Sequence, residues 1–131
     1  MKELTVKLDF PRSFAGKLET KGVTADIGYG ADGRLGSYDM LLGALGCCFY
    51  YHVLHNAEKM KLTYDRVAFT IHGTLRQAVP DTMETVEMDL TAYGVQEKEG
   101  FSEAVKKSTG ECSVHATLSK VADISIRLHY T

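Results

Sequence analysis

The sequence contains only three cysteines, and an odd number cannot form a complete set of structural disulfides. Its first ten residues, MKELTVKLDF, alternate polar and apolar side chains and lack the apolar core of a secretory signal peptide. We therefore expect a cytoplasmic protein, in which a thiol stays reduced unless it is catalytic or bound to a metal.

The sequence also lacks three features that would indicate particular partners. The 15 lysines and arginines are scattered among 17 acidic residues with a net charge of −2, so we expect no nucleic acid partner. Gly28, Gly30 and Gly33 have GxGxxG spacing, but the third glycine lies four residues before the predicted helix and does not cap it, so we expect no organic cofactor. One long apolar segment is present, and Gly43, Gly46 and His52 interrupt it, so we expect no membrane span.

The most distinctive segment is Ser37 to Glu58, SYDMLLGALGCCFYYHVLHNAE. Ser37 is a favourable N-cap and Asp39 suits the first turn, so the segment predicts a long helix. Its apolar residues continue around the helix and form no single stripe, which requires burial on all sides. Two adjacent thiols, Cys47 and Cys48, lie halfway along this helix.

Apolar and polar residues alternate in six other segments, which predicts six strands. Three precede the central helix, two follow it, and short helices at 101–109, ended by Gly110, and at about 113–120 precede the last strand. One polar face per sheet predicts antiparallel pairing and an α+β fold in one domain, residues 1–131. One six-stranded sheet with two short helices cannot cover the central helix, so we expect a symmetric homodimer with the Cys48 helix near its shared core.

The cysteines leave three interpretations open. They are buried small hydrophobic side chains, or they belong to a metal site, or they carry out redox chemistry. A zinc site would use Cys48 with His52 and Cys112 with His115, which are four and three residues apart. In redox catalysis, a thiolate attacks a peroxide and the resulting sulfenic acid condenses with a second cysteine to a disulfide.

The predicted surroundings of Cys48 and Cys112 favour Cys112 as the thiolate. Cys112 lies at a predicted helix start, where the helix dipole favours negative charge, whereas Cys48 is mid-helix and needs a nearby cation. Arg34 in the glycine-rich loop and Arg12 after the first strand are the candidate cations. His52, one turn after Cys48, is a candidate hydrogen-bond partner of its sulfur.

Two segments resemble the signatures of the OsmC/Ohr family of osmotically inducible and organic hydroperoxide resistance proteins. Residues 37–49, SYDMLLGALGCCF, are similar to its first signature, a leucine- and alanine-rich helix ending in a cysteine. Residues 112–118, CSVHATL, are similar to its second, a Cys-Pro-Val-x-x-x-Leu pattern. The resemblance implies an intertwined α+β homodimer that reduces small hydroperoxides, often organic ones, at the subunit interface, with electrons from an external dithiol.

The resemblance also implies roles for individual residues. Cys48 corresponds to the peroxide-attacking cysteine and Cys112 to the resolving cysteine. Family peroxidases pair an arginine with the glutamate of a Pro-Glu helix start, where this chain has Ser37 and Tyr38. Tyr38 as a hydrogen-bond donor and Asp39 as a carboxylate are the candidate replacements. The missing glutamate favours the alternative function, a non-catalytic OsmC-like dimer that binds a small apolar or thiol-reactive ligand.

Overall fold

The computed structural model describes residues 2–31 and 33–131, and their α+β architecture agrees with the prediction. They form two compact units, one ending at Gly43 and the other running from Ala44 to Thr131. The elements follow the predicted order: β1 (Lys7–Asp9), β2 (Gly16–Thr20), β3 (Val23–Ile27), α1 (Ser37–Lys59), β4 (Arg66–Leu75), β5 (Met83–Tyr93), α2 (Lys98–Glu111), α3 (Ser113–Leu118) and β6 (Asp123–Tyr130).

The first unit is built on an antiparallel sheet of β1, β2 and β3. Lys21 and Gly22 form the two-residue connection between β2 and β3, and both have positive φ angles, 52° and 78°. Two positive φ values are what a tight type I′ hairpin turn requires, which confirms the turn predicted there. The glycine-rich segment that follows β3 is loop at residues 28–31 and 33–36, and residue 32 lies outside the described residues.

α1 begins at Ser37, but Ser37 is not its cap as predicted. The carbonyl of Gly36 accepts the N–H of Met40 at 3.1 Å, which places Gly36 at the N-cap. The Gly36 N–H donates to Asp39 Oδ2 at 2.8 Å. Asp39 therefore reaches back to the cap as the acidic residue of a capping box does, and its negative charge also suits the helix start.

The second unit contains a second sheet, with strand order β4–β5–β6. β4 and β5 are antiparallel, whereas β5 and β6 run parallel. The prediction of one six-stranded antiparallel sheet was therefore wrong. Alternation reveals that one face is polar, but not which strands pair or in which direction. The β5–β6 connection contains α2 and α3 and has the length that a parallel crossover needs.

The core of the second unit lies on the inner face of this sheet. Its fully buried side chains include Leu45, Phe49 and Val53 of α1 and Met88 and Leu90 of β5. The ring of Phe49 lies 6.3 Å from the ring of Phe69 in β4, which packs α1 on the sheet. Burying an aliphatic or aromatic side chain of this size contributes about 1.5–3 kcal/mol. These contacts place the middle of α1 in the core of this unit.

Burial of α1 within one chain is restricted to one side. Leu45, Phe49 and Val53 are buried, whereas Tyr51 is 57% exposed and Cys47 is exposed as well. The prediction that the helix is buried on all sides therefore does not hold for the single chain. The predicted homodimer remains a prediction. In the described residues, no helix has the length and hydropathy needed to cross a membrane.

α2 extends past Gly110, which was predicted to end it. The helix runs to Glu111, and the N–H of Cys112 still donates to the carbonyl of Ser108 at 3.0 Å. The helical hydrogen-bond pattern thus continues through the exposed Gly110, and the chain leaves it only at Cys112, with φ −70° and ψ 114°.

Candidate active site

Cys112 joins two helices. It is the C-cap residue of α2 and at the same time the N-cap residue of α3. Its carbonyl accepts the N–H of Ala116 at 3.0 Å, and its sulfur accepts the N–H of His115 at 3.4 Å. The side chain is only 1% exposed. These contacts fix the thiol of Cys112 at the start of α3.

The sulfur of Cys48 lies against the same helix start. Its distance to the Ser113 hydroxyl oxygen is 3.8 Å, within hydrogen-bonding range for sulfur. The backbone N–H groups of Ser113 and Val114 and the thiol of Cys112 are the other hydrogen-bond partners of Cys48. The structure thus brings together two cysteines that are 64 positions apart in the chain.

This arrangement favours the thiolate form of Cys48. Burial by itself raises the pKa of the Cys48 thiol. The N–H of Val114, the thiol of Cys112 and the hydroxyl and N–H of Ser113 stabilise the anion and together outweigh burial, so that the pKa is lowered. Hydrogen bonds from the start of α3 therefore stabilise the Cys48 thiolate, for which a nearby cation was predicted to be necessary.

The pKa of the Cys112 thiol is raised, whereas that of Cys48 is lowered. Burial, helped by the nearby sulfur of Cys48, raises the pKa of Cys112 to about 11 against the opposing effect of the N–H groups of His115 and Val114. At neutral pH the pair therefore consists of a protonated Cys112 that donates to an ionisable Cys48. The prediction that Cys112 is the better thiolate was wrong, because burial and the nearby Cys48 sulfur raise the pKa of Cys112 more than the N–H groups at the start of α3 lower it.

Different alkylation rates are expected from these two thiols. At pH 7, iodoacetamide should modify Cys48 faster than Cys112, since the thiolate is the reacting form and Cys112 is also buried. The pH profile of Cys48 should have its midpoint below that of an unperturbed thiol, because its folded-state pKa is lowered. Peptide-resolved mass spectrometry of a Cys47→Ser protein measures both rates. Equal rates, or a midpoint above the usual range, would contradict this assignment.

His52 lies one turn beyond Cys48 on α1, but its imidazole is not among the hydrogen-bond partners of the Cys48 sulfur in the described residues. It lies instead beside the carboxylate of Glu111, in a groove that also contains Lys59. A hydrogen bond from Asn56 lowers the pKa of Glu111, and the positive charge of Lys107 lowers it further, with smaller effects from His52 and Lys59. The structure thus places His52 beside the Glu111 carboxylate.

The other predicted supporting residues belong to the first unit. The guanidinium of Arg34 donates to the backbone carbonyls of Gly16 at 3.0 Å and Ile27 at 3.3 Å. Arg12 is exposed in a tight turn with φ 69°. Tyr38 is half-buried in the first turn of α1, and Asp39 caps that helix. Their roles toward the cysteines remain predictions.

The zinc interpretation finds no support in the described part of the chain. Among residues 2–31 and 33–131, no group of three or more histidine, cysteine, aspartate or glutamate side chains is arranged to hold a metal ion. Cys48 and Cys112 lie together, but the Cys112 thiol donates a hydrogen bond to the Cys48 sulfur, and both sulfurs accept hydrogen bonds from N–H groups of α3.

Sequence reasoning missed the residues that surround the Cys48 sulfur. Ser113 and Val114 act on it through backbone N–H groups, which every residue type except proline provides. The only signal was the predicted helix start beside Cys112. It revealed that donors were present there, but not which sulfur they would face.

Residues 30–127 match the family model of OsmC-like proteins. The chain belongs to the OsmC-like family. This confirms the resemblance seen in the two cysteine segments. No curated protein matches this OsmC-like chain in sequence.

Solved structures share the OsmC-like fold over the whole chain. A hypothetical protein from Aquifex aeolicus VF5 is similar with a TM-score of 0.84 at 24% identity, over 100% of this chain and 99% of that one. An OsmC-like protein from Mycoplasma pneumoniae has a TM-score of 0.83 at 13% identity, over 98% of each chain. An organic hydroperoxide resistance protein from Legionella pneumophila has a TM-score of 0.73 at 16% identity, again over 98% of each. At these identities the likeness shows the fold alone.

Proposed function

We propose that this protein is a thiol-dependent hydroperoxide reductase, in which Cys48 attacks the peroxide and Cys112 resolves the oxidised product. The observation that carries the proposal is the meeting of the two sulfurs at the start of α3, with backbone N–H groups directed at Cys48. Membership of the OsmC-like family, and the fold shared with a hydroperoxide resistance protein, support the same chemistry.

In the first step, the Cys48 thiolate attacks the terminal oxygen of R–O–OH. A sulfur–oxygen bond forms and the oxygen–oxygen bond breaks, so that Cys48 becomes a sulfenic acid and the substrate leaves as R–OH after taking up a proton. Cys48 is oxidised by two electrons and the peroxide is reduced by two. The hydrogen bonds from Ser113 and Val114 support this step because they keep part of Cys48 ionised.

In the second step, the sulfur of Cys112 attacks the sulfenic sulfur of Cys48, which forms a disulfide and releases water. Before oxidation, the Cys48 sulfur raises the pKa of Cys112. Conversion of Cys48 to a neutral sulfenic acid removes that repulsion, while the N–H groups of His115 and Val114 still favour a Cys112 thiolate. Oxidation of the first cysteine thus activates the second. An external dithiol then reduces the disulfide and is itself oxidised.

The experiment that tests this function is consumption of cumene hydroperoxide by the wild-type protein with a dithiol such as dithiothreitol. A reductase consumes peroxide in many-fold excess over protein. The competing function is an OsmC-like protein that binds a small apolar or thiol-reactive ligand, which the absence of the family's glutamate favours. Peroxide loss no greater than the dithiol alone produces would overturn the reductase and leave the binding protein.

We further propose that the protein works in the cytoplasm as a homodimer. The exposed side of α1, which includes Cys47 and the 57%-exposed Tyr51, is apolar enough to pack against a second copy. Light scattering should then give about twice the chain mass of 14.5 kDa. A mass equal to that of the single chain would contradict the dimer.

A further inference from the structure

A buried amide near the end of α1 ties this helix to the α2–α3 junction. Asn56 is 2% exposed, and its side chain is one of the few buried polar groups. Its NH₂ group donates to Ser108 Oγ at 3.1 Å and to Glu111 Oε1 at 2.7 Å. Because a buried amide requires partners, these two bonds fix how α2 lies on α1.

Both partners of Asn56 control the position of Cys112. Ser108 is the residue whose carbonyl accepts the Cys112 N–H, and Glu111 directly precedes Cys112. The N–H donors of Cys48 come from Ser113 and the residue after it. Asn56 thus holds the segment that carries both the resolving cysteine and the donors to the attacking one.

Asn56 holds this segment although it lies far from Cys48 along α1. It follows Cys48 by eight residues on the same helix, which is about 12 Å along the helix axis. Among the hydrogen bonds of the described residues, none joins Asn56 to either sulfur. Along α1 the contacts run in opposite order to the partner segment, with residue 56 against 108 and 111 and residue 48 against 112–114. Asn56 and Cys48 are therefore two separate points of attachment for the same junction.

We propose that Asn56 is a positioning residue for the cysteine pair, which acts through Ser108 and Glu111 to hold the start of α3 against Cys48. The inference rests on the proposed function for its importance to turnover. The test measures the ionisation of the Cys48 thiol, and this measurement does not require turnover.

The first test is Asn56→Ala in a Cys47→Ser background, with the alkylation rate of Cys48 measured across pH. Ser108 keeps its own hydrogen bond to the Ala104 carbonyl at 2.8 Å, and Glu111 is exposed to water, so the substitution leaves no buried polar group without a partner. We expect the pH midpoint to rise and the rate at pH 7 to fall by about threefold to tenfold, since one pKa unit changes the thiolate fraction about tenfold.

A matched control separates positioning from general loss of stability. Val105→Ala removes buried volume from α2, where Val105 is 5% exposed, but leaves the bonds of Asn56 intact. It should lower the melting temperature without shifting the pH midpoint of Cys48. An unchanged midpoint in Asn56→Ala, or an equal shift in Val105→Ala, would overturn the positioning role.

Glu111 provides a second test that does not depend on a buried substitution. Glu111→Gln keeps an acceptor oxygen for Asn56, whereas Glu111→Ala removes it. Loss of a carboxylate by itself favours a nearby thiolate, so electrostatics alone predicts faster alkylation of Cys48 in Glu111→Ala. Positioning predicts slower alkylation in Glu111→Ala and a nearly wild-type rate in Glu111→Gln. A faster or unchanged rate in Glu111→Ala would overturn the inference even if Asn56→Ala did not fold.

The two proposals can fail separately. If wild-type protein consumes no peroxide, the reductase function fails, while the alkylation rates still decide the role of Asn56. If peroxide is consumed and the Asn56 and Glu111 variants keep the wild-type pH profile, only the positioning role fails.

Discussion

Cys48→Ser is expected to lower the rate of dithiol-dependent peroxide consumption by about a thousandfold or more, the scale of loss when a catalytic nucleophile is removed. A serine hydroxyl remains protonated at neutral pH, and the donors from Ser113 and Val114 cannot ionise it. The serine is nearly the size of cysteine, so the packing of α1 on the sheet should be kept. The rate is measured with cumene hydroperoxide and dithiothreitol, with the protein-free reaction subtracted.

The neighbouring thiol provides the control for this variant. Cys47 is exposed and points about 100° away from Cys48 around α1. Cys47→Ser should therefore retain close to the wild-type rate. A Cys48→Ser protein as active as wild type, or a Cys47→Ser protein as inactive as Cys48→Ser, would show that another thiol attacks the peroxide.

Cys112→Ser is expected to affect the second step and not the first. The backbone donors to Cys48 remain, so one equivalent of peroxide should still be consumed per chain. The sulfenic acid then depends on an external thiol, and steady-state turnover at millimolar dithiol should fall by at least about a hundredfold, because an adjacent internal thiol acts at a far higher effective concentration.

The trapped intermediate distinguishes this result from simple inactivation. Dimedone added after one equivalent of peroxide should label Cys48 in Cys112→Ser and label it much less in wild type, where Cys112 reacts first. Fragmentation of the labelled peptide distinguishes Cys48 from the adjacent Cys47. Wild-type turnover in Cys112→Ser, or no dimedone adduct at Cys48, would contradict the resolving role.

The order of the elements could be predicted from the sequence because periodicity is a local property. The alternation after residue 66 and the apolar helix from Ser37 are visible within a few residues each. Strand pairing is not local. The same alternation in β6 is compatible with either direction, and the long connection through α2 and α3 permits a parallel pair without requiring one.

The sequence predicted two candidate site cysteines, whose catalytic roles remain a proposal, but it did not predict the electrostatics around them. The family resemblance identified Cys48 and Cys112, and the fold places them together. The expected ranking of their acidity was reversed, because it counted only the helix on which each cysteine lies. Cys48 is stabilised as an anion by a helix start that belongs to another part of the chain, and the packing of α1 against α2 creates that contact.

The proposed reaction depends on the formation of a disulfide bond between Cys48 and Cys112. Reduced wild-type protein should be treated with one equivalent of cumene hydroperoxide, digested without reductant and analysed by mass spectrometry. We expect one disulfide per chain that joins Cys48 to Cys112, assigned by fragmentation because Cys47 lies in the same peptide as Cys48, with the loss of both free thiols. A protein that keeps Cys48 as a free thiol after this treatment, or that joins Cys48 to another cysteine, would contradict it.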